Sequence, residues 1–167
     1  MSIIKHKEQR VAVFIDTQNL YHSAKNLYKR KVNFGNILKD VVAGRRLVRA
    51  TAYVITTESG DEQAFFDALT NIGIETKTKD LQVFGDGAKK GDWDVGLAID
   101  AITAAPKVDA IVIVSGDGDF VPLVDYLSST TQVEVASFGK STSQKLKEIT
   151  DDFIDLSENP RRYLIGR

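Results

Sequence analysis

The chain has 167 residues, 43% of them hydrophobic, enough for one well-packed domain and too few for two. Its formal net charge of -1 supplies no global field toward nucleic acid or membrane, so any contact with a polyanion must be a local patch. Without cysteine there are no disulfides, thiolate zinc sites or cysteine nucleophiles, and with only two histidines metal chemistry falls to oxygen ligands.

In chain order, residues 1–9 read as a short N-terminal extension to a single domain covering 1–167. They lack the apolar core of a secretion signal, and no stretch approaches the ~20 apolar residues of a membrane span, so a cytoplasmic protein without membrane contact is expected. Val11-Ala12-Val13-Phe14-Ile15 is a short β-branched run ending on Asp16 and predicts a buried strand. Leu20, Tyr21, Ala24, Leu27 and Tyr28 recur at helical spacing, and that helix fades in Lys29-Arg30-Lys31. Residues 33–36 open a shorter helix through Val42. A second strand is expected over 47–55 and a helix over 61–72, closed by Gly73. Residues 74–79 and 81–84 are weaker strand candidates, followed by a turn-rich loop over 85–91. Residues 93–105 are helical in pattern, with Pro106 marking the end. The apolar run 110–114 predicts another strand. A helix from 120 to 128 follows, with Pro122 tolerable in its first turn. A strand over 133–138, a helix over 143–149 and a last strand over 153–156 complete the pattern. Strands alternating with helices predict an α/β domain with a mainly parallel sheet covered on both faces.

Such sheets place their ligand crevice at the carboxyl ends of the strands. Asp16 ends the first strand, while Asp117 and Asp119 lie in Ser115-Gly116-Asp117-Gly118-Asp119-Phe120, directly after 110–114. Asp94 opens the helix that follows Lys90-Gly91-Asp92-Trp93. Singly, each has an ordinary role as a cap, first-turn acid or turn former. Together they fall at strand-to-helix junctions on one presumed edge. Carboxylates gathered in a crevice repel one another and lose hydration, so they bind a cation or stop ionising. A hard divalent ion is the economical explanation, and Asp16, Asp94 and Asp117 are expected within roughly 8 Å of one another.

Asp92, taken alone, reads as an N-cap. Asp100 lies six positions past Asp94, roughly 240° around a helix, and reads as a salt-bridging or supporting acid. Asn19, one turn after Asp16, can face the same site, although on geometry alone an exposed helix residue is as good a reading. Ser115 can hydrogen-bond a carboxylate or a phosphate, or serve close packing. Thr17, Gln18 and His22 read as solvated, and Trp93 as an apolar anchor first and a base-stacking surface second. Of the cationic runs, Lys29-Arg30-Lys31 and Arg45-Arg46 read as solvated faces. Lys89 and Lys90, in a loop leading into Asp92 and Asp94, are better placed to hold a phosphodiester against a metal.

No segment supplies a P-loop. The dinucleotide fingerprint fails because Val121 stands where its third glycine belongs. A phosphoaspartyl phosphatase of the haloacid dehalogenase type would need Asp at the position of Gln18.

Three segments in order, Val13-Phe14-Ile15-Asp16-Thr17-Gln18-Asn19-Leu20, Lys90-Gly91-Asp92-Trp93-Asp94-Val95 and Val114-Ser115-Gly116-Asp117-Gly118-Asp119-Phe120-Val121-Pro122-Leu123, resemble the NYN domain of the PIN-like nuclease superfamily, in its bacterial LabA-like branch. The resemblance implies a PIN-like, Rossmann-like α/β/α sandwich and a Mg²⁺- or Mn²⁺-dependent ribonuclease of the endoribonuclease type acting on RNA. Asp16, Asp94, Asp117 and Asp119 resemble its catalytic, metal-binding quartet. Asn19 is their polar companion, with Ser115, Lys89 and Lys90 as substrate-binding candidates. A homodimer is left open. The alternative is an RNA- or nucleotide-binding regulatory module that keeps the acidic crevice without turnover.

Overall fold

A computed structural model describes residues 3–56, 63–80, 82–83, 85, 89–90 and 92–166, without the side chains of 82, 83, 89 and 90. Along the chain these form β1 (Arg10–Asp16), α1 (Thr17–Tyr28), β2 (Lys31–Val32), α2 (Phe34–Val42), β3 (Arg46–Thr56), α3 (Gln63–Asn71), β4 (Glu75–Asp80), β5 (Gln82–Val83) and β6 (Lys89–Lys90). The second half supplies α4 (Asp94–Ala104), β7 (Ala110–Val114), α5 (Val121–Leu127), β8 (Gln132–Ser137), α6 (Gln144–Ile149), β9 (Asp152–Asp155), α7 (Pro160–Tyr163) and β10 (Leu164–Ile165).

Six strands form one sheet in the order β4-β3-β1-β7-β8-β9, every pair parallel. β1 and β7 are buried on both faces, which is why they read as unbroken apolar runs. Their alternating residues feed two cores. Val11, Val13 and Ile15 pack with α1 and α2 on one face, and Ala12, Phe14 and Tyr53 with α4 and α5 on the other. From β1 the chain winds first to one side, through β3 and β4, and then returns to the other through β7, β8 and β9. The carboxyl ends of β1 and β7 therefore flank the topological switch point, where such sheets open a crevice.

Local chemistry sets the helix ends. Asn33 caps α2 by accepting the Asn36 N–H at 3.0 Å, and Ser143 caps α6 by accepting the Leu146 N–H. Lys29 and Ala43 close α1 and α2 in the left-handed conformation, and Gly73 takes φ +88 beyond α3.

Several expectations need correction. Residue Arg45 is not on a solvated face: its guanidinium forks onto Glu134 with two 2.8 Å bonds, both side chains being fully buried. Its remaining donors reach the Val41 and Val42 carbonyls and Gln9, so burial leaves no N–H stranded. β9 is not the last strand, because β10 returns to pair antiparallel with β2. These are two-residue strands and carry no periodicity to read. Within the expected turn-rich loop, β6 pairs antiparallel with β5. Pro106 sits in a 3-10 turn, Ala105–Lys107, just beyond α4. The expected helix start at Asp61 and Glu62, and most of 85–91, lie outside the described residues. Among the described residues no helix is long and apolar enough to cross a membrane.

Candidate metal centre

Asp16 is the last residue of β1 and the cap of α1. Its Oδ1 accepts the Asn19 N–H at 3.2 Å, and its Oδ2 accepts the Ser115 hydroxyl at 3.0 Å. Ser115, fully buried just past β7, also accepts the Asp117 N–H at 3.2 Å. Asn19 latches the same loop from the other side, its Oδ1 accepting the Gly116 N–H at 2.9 Å. A Cβ on Gly116 would stand 2.8 Å from Ser137 Oγ and 2.9 Å from Thr142 Oγ1, so the loop seats this tightly only with glycine there. Asp117 Oδ1 accepts the Asp119 N–H at 2.9 Å and so starts the 3-10 turn Gly118–Phe120.

Asp94 comes from the opposite face of the sheet, as the first residue of α4. Asp92, one position before the N-cap Trp93, accepts the Asp94 N–H at 3.1 Å. Trp93 anchors the helix start: its indole N–H donates to the Val54 carbonyl at 3.1 Å and its ring leans on Tyr53. Gly96 leaves room for it, since a Cβ there would lie 2.5 Å from Trp93 Cε3.

These anchors bring Asp16, Asp94 and Asp117 together, each offering a carboxylate oxygen within 4.8 Å of the others. Two full charges at that separation repel by about 3 kcal/mol at an effective dielectric near 20. Asp94 responds most: burial, then the charges of Asp117, Asp92, Asp16 and Asp119, push its carboxyl up to about 7. Burial also raises Asp16, against the hydrogen bonds from Asn19 and Ser115. Among the described residues the repulsion has no cationic partner within the cluster, and an all-carboxylate donor set suits a hard, oxygen-seeking divalent ion.

Asp119 is exposed and stands outside the trio, bearing on Asp94 by charge alone. Asp100 points elsewhere: it pairs with Lys77 at 2.8 Å and accepts the Tyr53 hydroxyl at 2.6 Å, as its helical phase predicts. Those bonds hold its carboxyl below the usual range despite burial. Thr17 is buried and donates to the Tyr53 carbonyl at 2.6 Å rather than facing solvent. The side chains of Lys89 and Lys90 lie outside the described residues.

A cavity of about 300 Å³ opens beside the cluster, lined by the acidic residues with Gln18, Asn19, His22, Ser23, Asn26, Leu27 and Ser141. Gln18 and His22, read as solvated, and Ser23, Asn26 and Ser141, not singled out, are therefore part of its wall. The legible signal was the polar recurrence 19, 22, 23, 26 along α1.

Comparison with known proteins adds three findings. The family model described as NYN domain matches residues 10–157. Low amplitude and bright protein LabA of Synechococcus elongatus is 29% identical over 164 residues, which cover 91% of this chain and 86% of that protein. A crystal structure of a protein of unknown function from Vibrio parahaemolyticus is similar at 30% identity and a TM-score of 0.86, covering 98% of this chain and all of its own.

Proposed function

The chain belongs to the NYN domain family, and from that premise we propose that it is a metal-dependent ribonuclease hydrolysing RNA phosphodiester bonds at Asp16, Asp94 and Asp117. The observation that carries this reading is the meeting of three carboxylate oxygens within 4.8 Å, delivered by β1, α4 and the loop after β7.

These residues would hold Mg²⁺ or Mn²⁺, which when bound lowers the pKa of a coordinated water and offsets charge developing on phosphate. Asp16 and Asp117 are prepared for the role by hydrogen bonds that fix their orientation through Ser115. Asp94 must first give up its proton, because burial and its neighbours favour the neutral acid. Asp119 sits at the rim, suited to accept from a hydrating water rather than to bind directly. Asn19 uses its carbonyl oxygen on Gly116, which leaves its amide N–H₂ for a phosphate oxygen. The Ser115 hydroxyl is engaged on both sides and buried, so it supports the acids instead of touching RNA. Lys89 and Lys90 are proposed to meet the phosphodiester ahead of the cluster.

The test is incubation of the purified protein with single-stranded and structured RNAs, with Mg²⁺, with Mn²⁺ and with a chelator. Cleavage that needs the ion supports the reading. Intact RNA across all substrates would overturn it.

A further inference from the structure

Beyond Asn19, which braces the acidic cluster, the α1 helix carries a polar face that continues along the cavity. Asn19, His22, Ser23 and Asn26 stand at positions i, i+3, i+4 and i+7, and all four line the cavity beside the carboxylates. Leu20 and Ala24 point the other way, into the core. With a rise of 1.5 Å per residue, His22 and Ser23 lie about 5 Å and Asn26 about 10 Å along the axis from Asn19. The acidic end is thus followed by a wall of polar hydrogen-bonding groups.

The chemistry of that wall narrows what it can receive. A groove that tracks phosphates is cationic, yet among the described residues no lysine or arginine lines this cavity. Lys25 turns away and lies over the Tyr21 ring. A base subsite would present flat aromatic or guanidinium surfaces for stacking. Among the described residues the only ring in the lining is His22, held edge-on to Tyr21. What remains for hydrogen bonding is hydroxyl, amide and one imidazole. Ser141 Oγ donates to Ser23 Oγ at 2.8 Å and also lies 3.3 Å from the Phe138 carbonyl oxygen, so the two hydroxyls form a pair in the cavity wall, each oxygen able to accept as well as donate. A ribose 2′-hydroxyl is both donor and acceptor and matches such groups. Leu27 adds an apolar side chain to the lining that suits the C–H face of a sugar. A volume of about 300 Å³ is at the small end of ligand sites, suited to one nucleotide unit.

We infer that this cavity is a ribose subsite, in which Asn26, His22 and the Ser23–Ser141 pair read the 2′-hydroxyl of a nucleotide next to the scissile phosphate and so select RNA over DNA. The inference rests on the ribonuclease reading for the phosphate's position, and it assigns to the α1 face a discrimination that the carboxylates cannot make.

The experiment measures binding and metal-dependent cleavage of one single-stranded RNA and of the DNA of the same sequence, for wild type, Asn26→Ala and Ser141→Ala. Asn26 is exposed on a helix and alanine is a better helix former, so Asn26→Ala keeps the fold. The expected result is a preference for RNA that falls about 3- to 10-fold in each variant, the size of one lost hydrogen bond, with DNA binding unchanged. A wild type without preference for RNA, or a preference untouched in both variants, overturns the subsite even where cleavage persists. A preference that collapses in the variants while no RNA is cut supports the subsite and overturns the ribonuclease reading instead.

Discussion

The hydroxyl of Ser115 donates a 3.0 Å hydrogen bond to Asp16 Oδ2, joining the carboxyl ends of β7 and β1 across 99 positions of sequence. The same oxygen accepts the Asp117 N–H, so one buried atom sets the position of two acids of the cluster. Asn19 repeats the arrangement from α1, holding Asp16 with its backbone and Gly116 with its side chain. The two strand ends are thereby tied at the place where repulsion between carboxylates would part them.

Ser115→Ala removes a donor from Asp16 and an acceptor from the Asp117 N–H. The variant should lose about 1–3 kcal/mol, the cost of leaving buried polar groups unpaired. It should also show a smaller rise in melting temperature on adding Mn²⁺, because the ligands are less well placed. Thermal melts with and without Mn²⁺ check both, and a wild-type response to the ion would count against the bridging role.

Asp94 gives a pH dependence of unusual sign. Its carboxyl is raised to about 7, so between about pH 4 and 7 the native state binds a proton that the unfolded state has released. Stability without metal should therefore fall as pH rises through this window, and Asp94→Asn should flatten the fall. Allowing for solvent screening of a half-exposed group, the difference should be about 1–2 kcal/mol. Since the ion displaces that proton, Mn²⁺ affinity should rise through pH 7. Urea unfolding at pH 5 and 8 measures the effect; parallel profiles for wild type and Asp94→Asn would contradict it.

At the other half of the strands, Arg45 and Glu134 form the buried ion pair. Arg45→Met leaves the buried Glu134 charge to Lys5 at 3.7 Å and the Gln132 amide at 3.0 Å, an incomplete replacement for the lost fork that should cost about 3 kcal/mol, whereas Arg45→Met with Glu134→Leu should recover most of that loss. Denaturant titrations decide between these outcomes. A double variant no more stable than the single would show that packing, not the incompletely paired charge, sets the cost.

The contrast between these two sites shows what the chain made legible. Asp16 and Asp117 could be placed from sequence because each follows a strand of the parallel sheet, whose carboxyl ends share one edge, whereas Asp94 follows the antiparallel pair β5–β6 and meets them through the seating of α4. Arg45 could not, since a charged pair reads as solvated unless its partner is known, and Glu134 lies 89 positions away between Val133 and Val135 of β8. The roles of Asn19 and Ser115 were half legible: position placed them at the site, but only the Gly116 and Asp117 N–H groups show that they brace the acids. β2, β10 and α7 span two to four residues each, too short for any periodicity. The α1 wall was legible only as the polar recurrence 19, 22, 23 and 26, because polar residues look alike whether they face solvent or a cavity.

On the proposed reading, Asp16 and Asp117 serve catalysis rather than affinity. The most direct measurement is cleavage rate and RNA affinity on one substrate in Mn²⁺ for wild type, Asp16→Asn and Asp117→Asn. Loss of cleavage with affinity equal to or tighter than wild type is the predicted result, because each substitution removes a negative charge that repels phosphate while weakening the hold on the ion. Cleavage at the wild-type rate in either variant, or loss of affinity in step with loss of cleavage, would contradict the account.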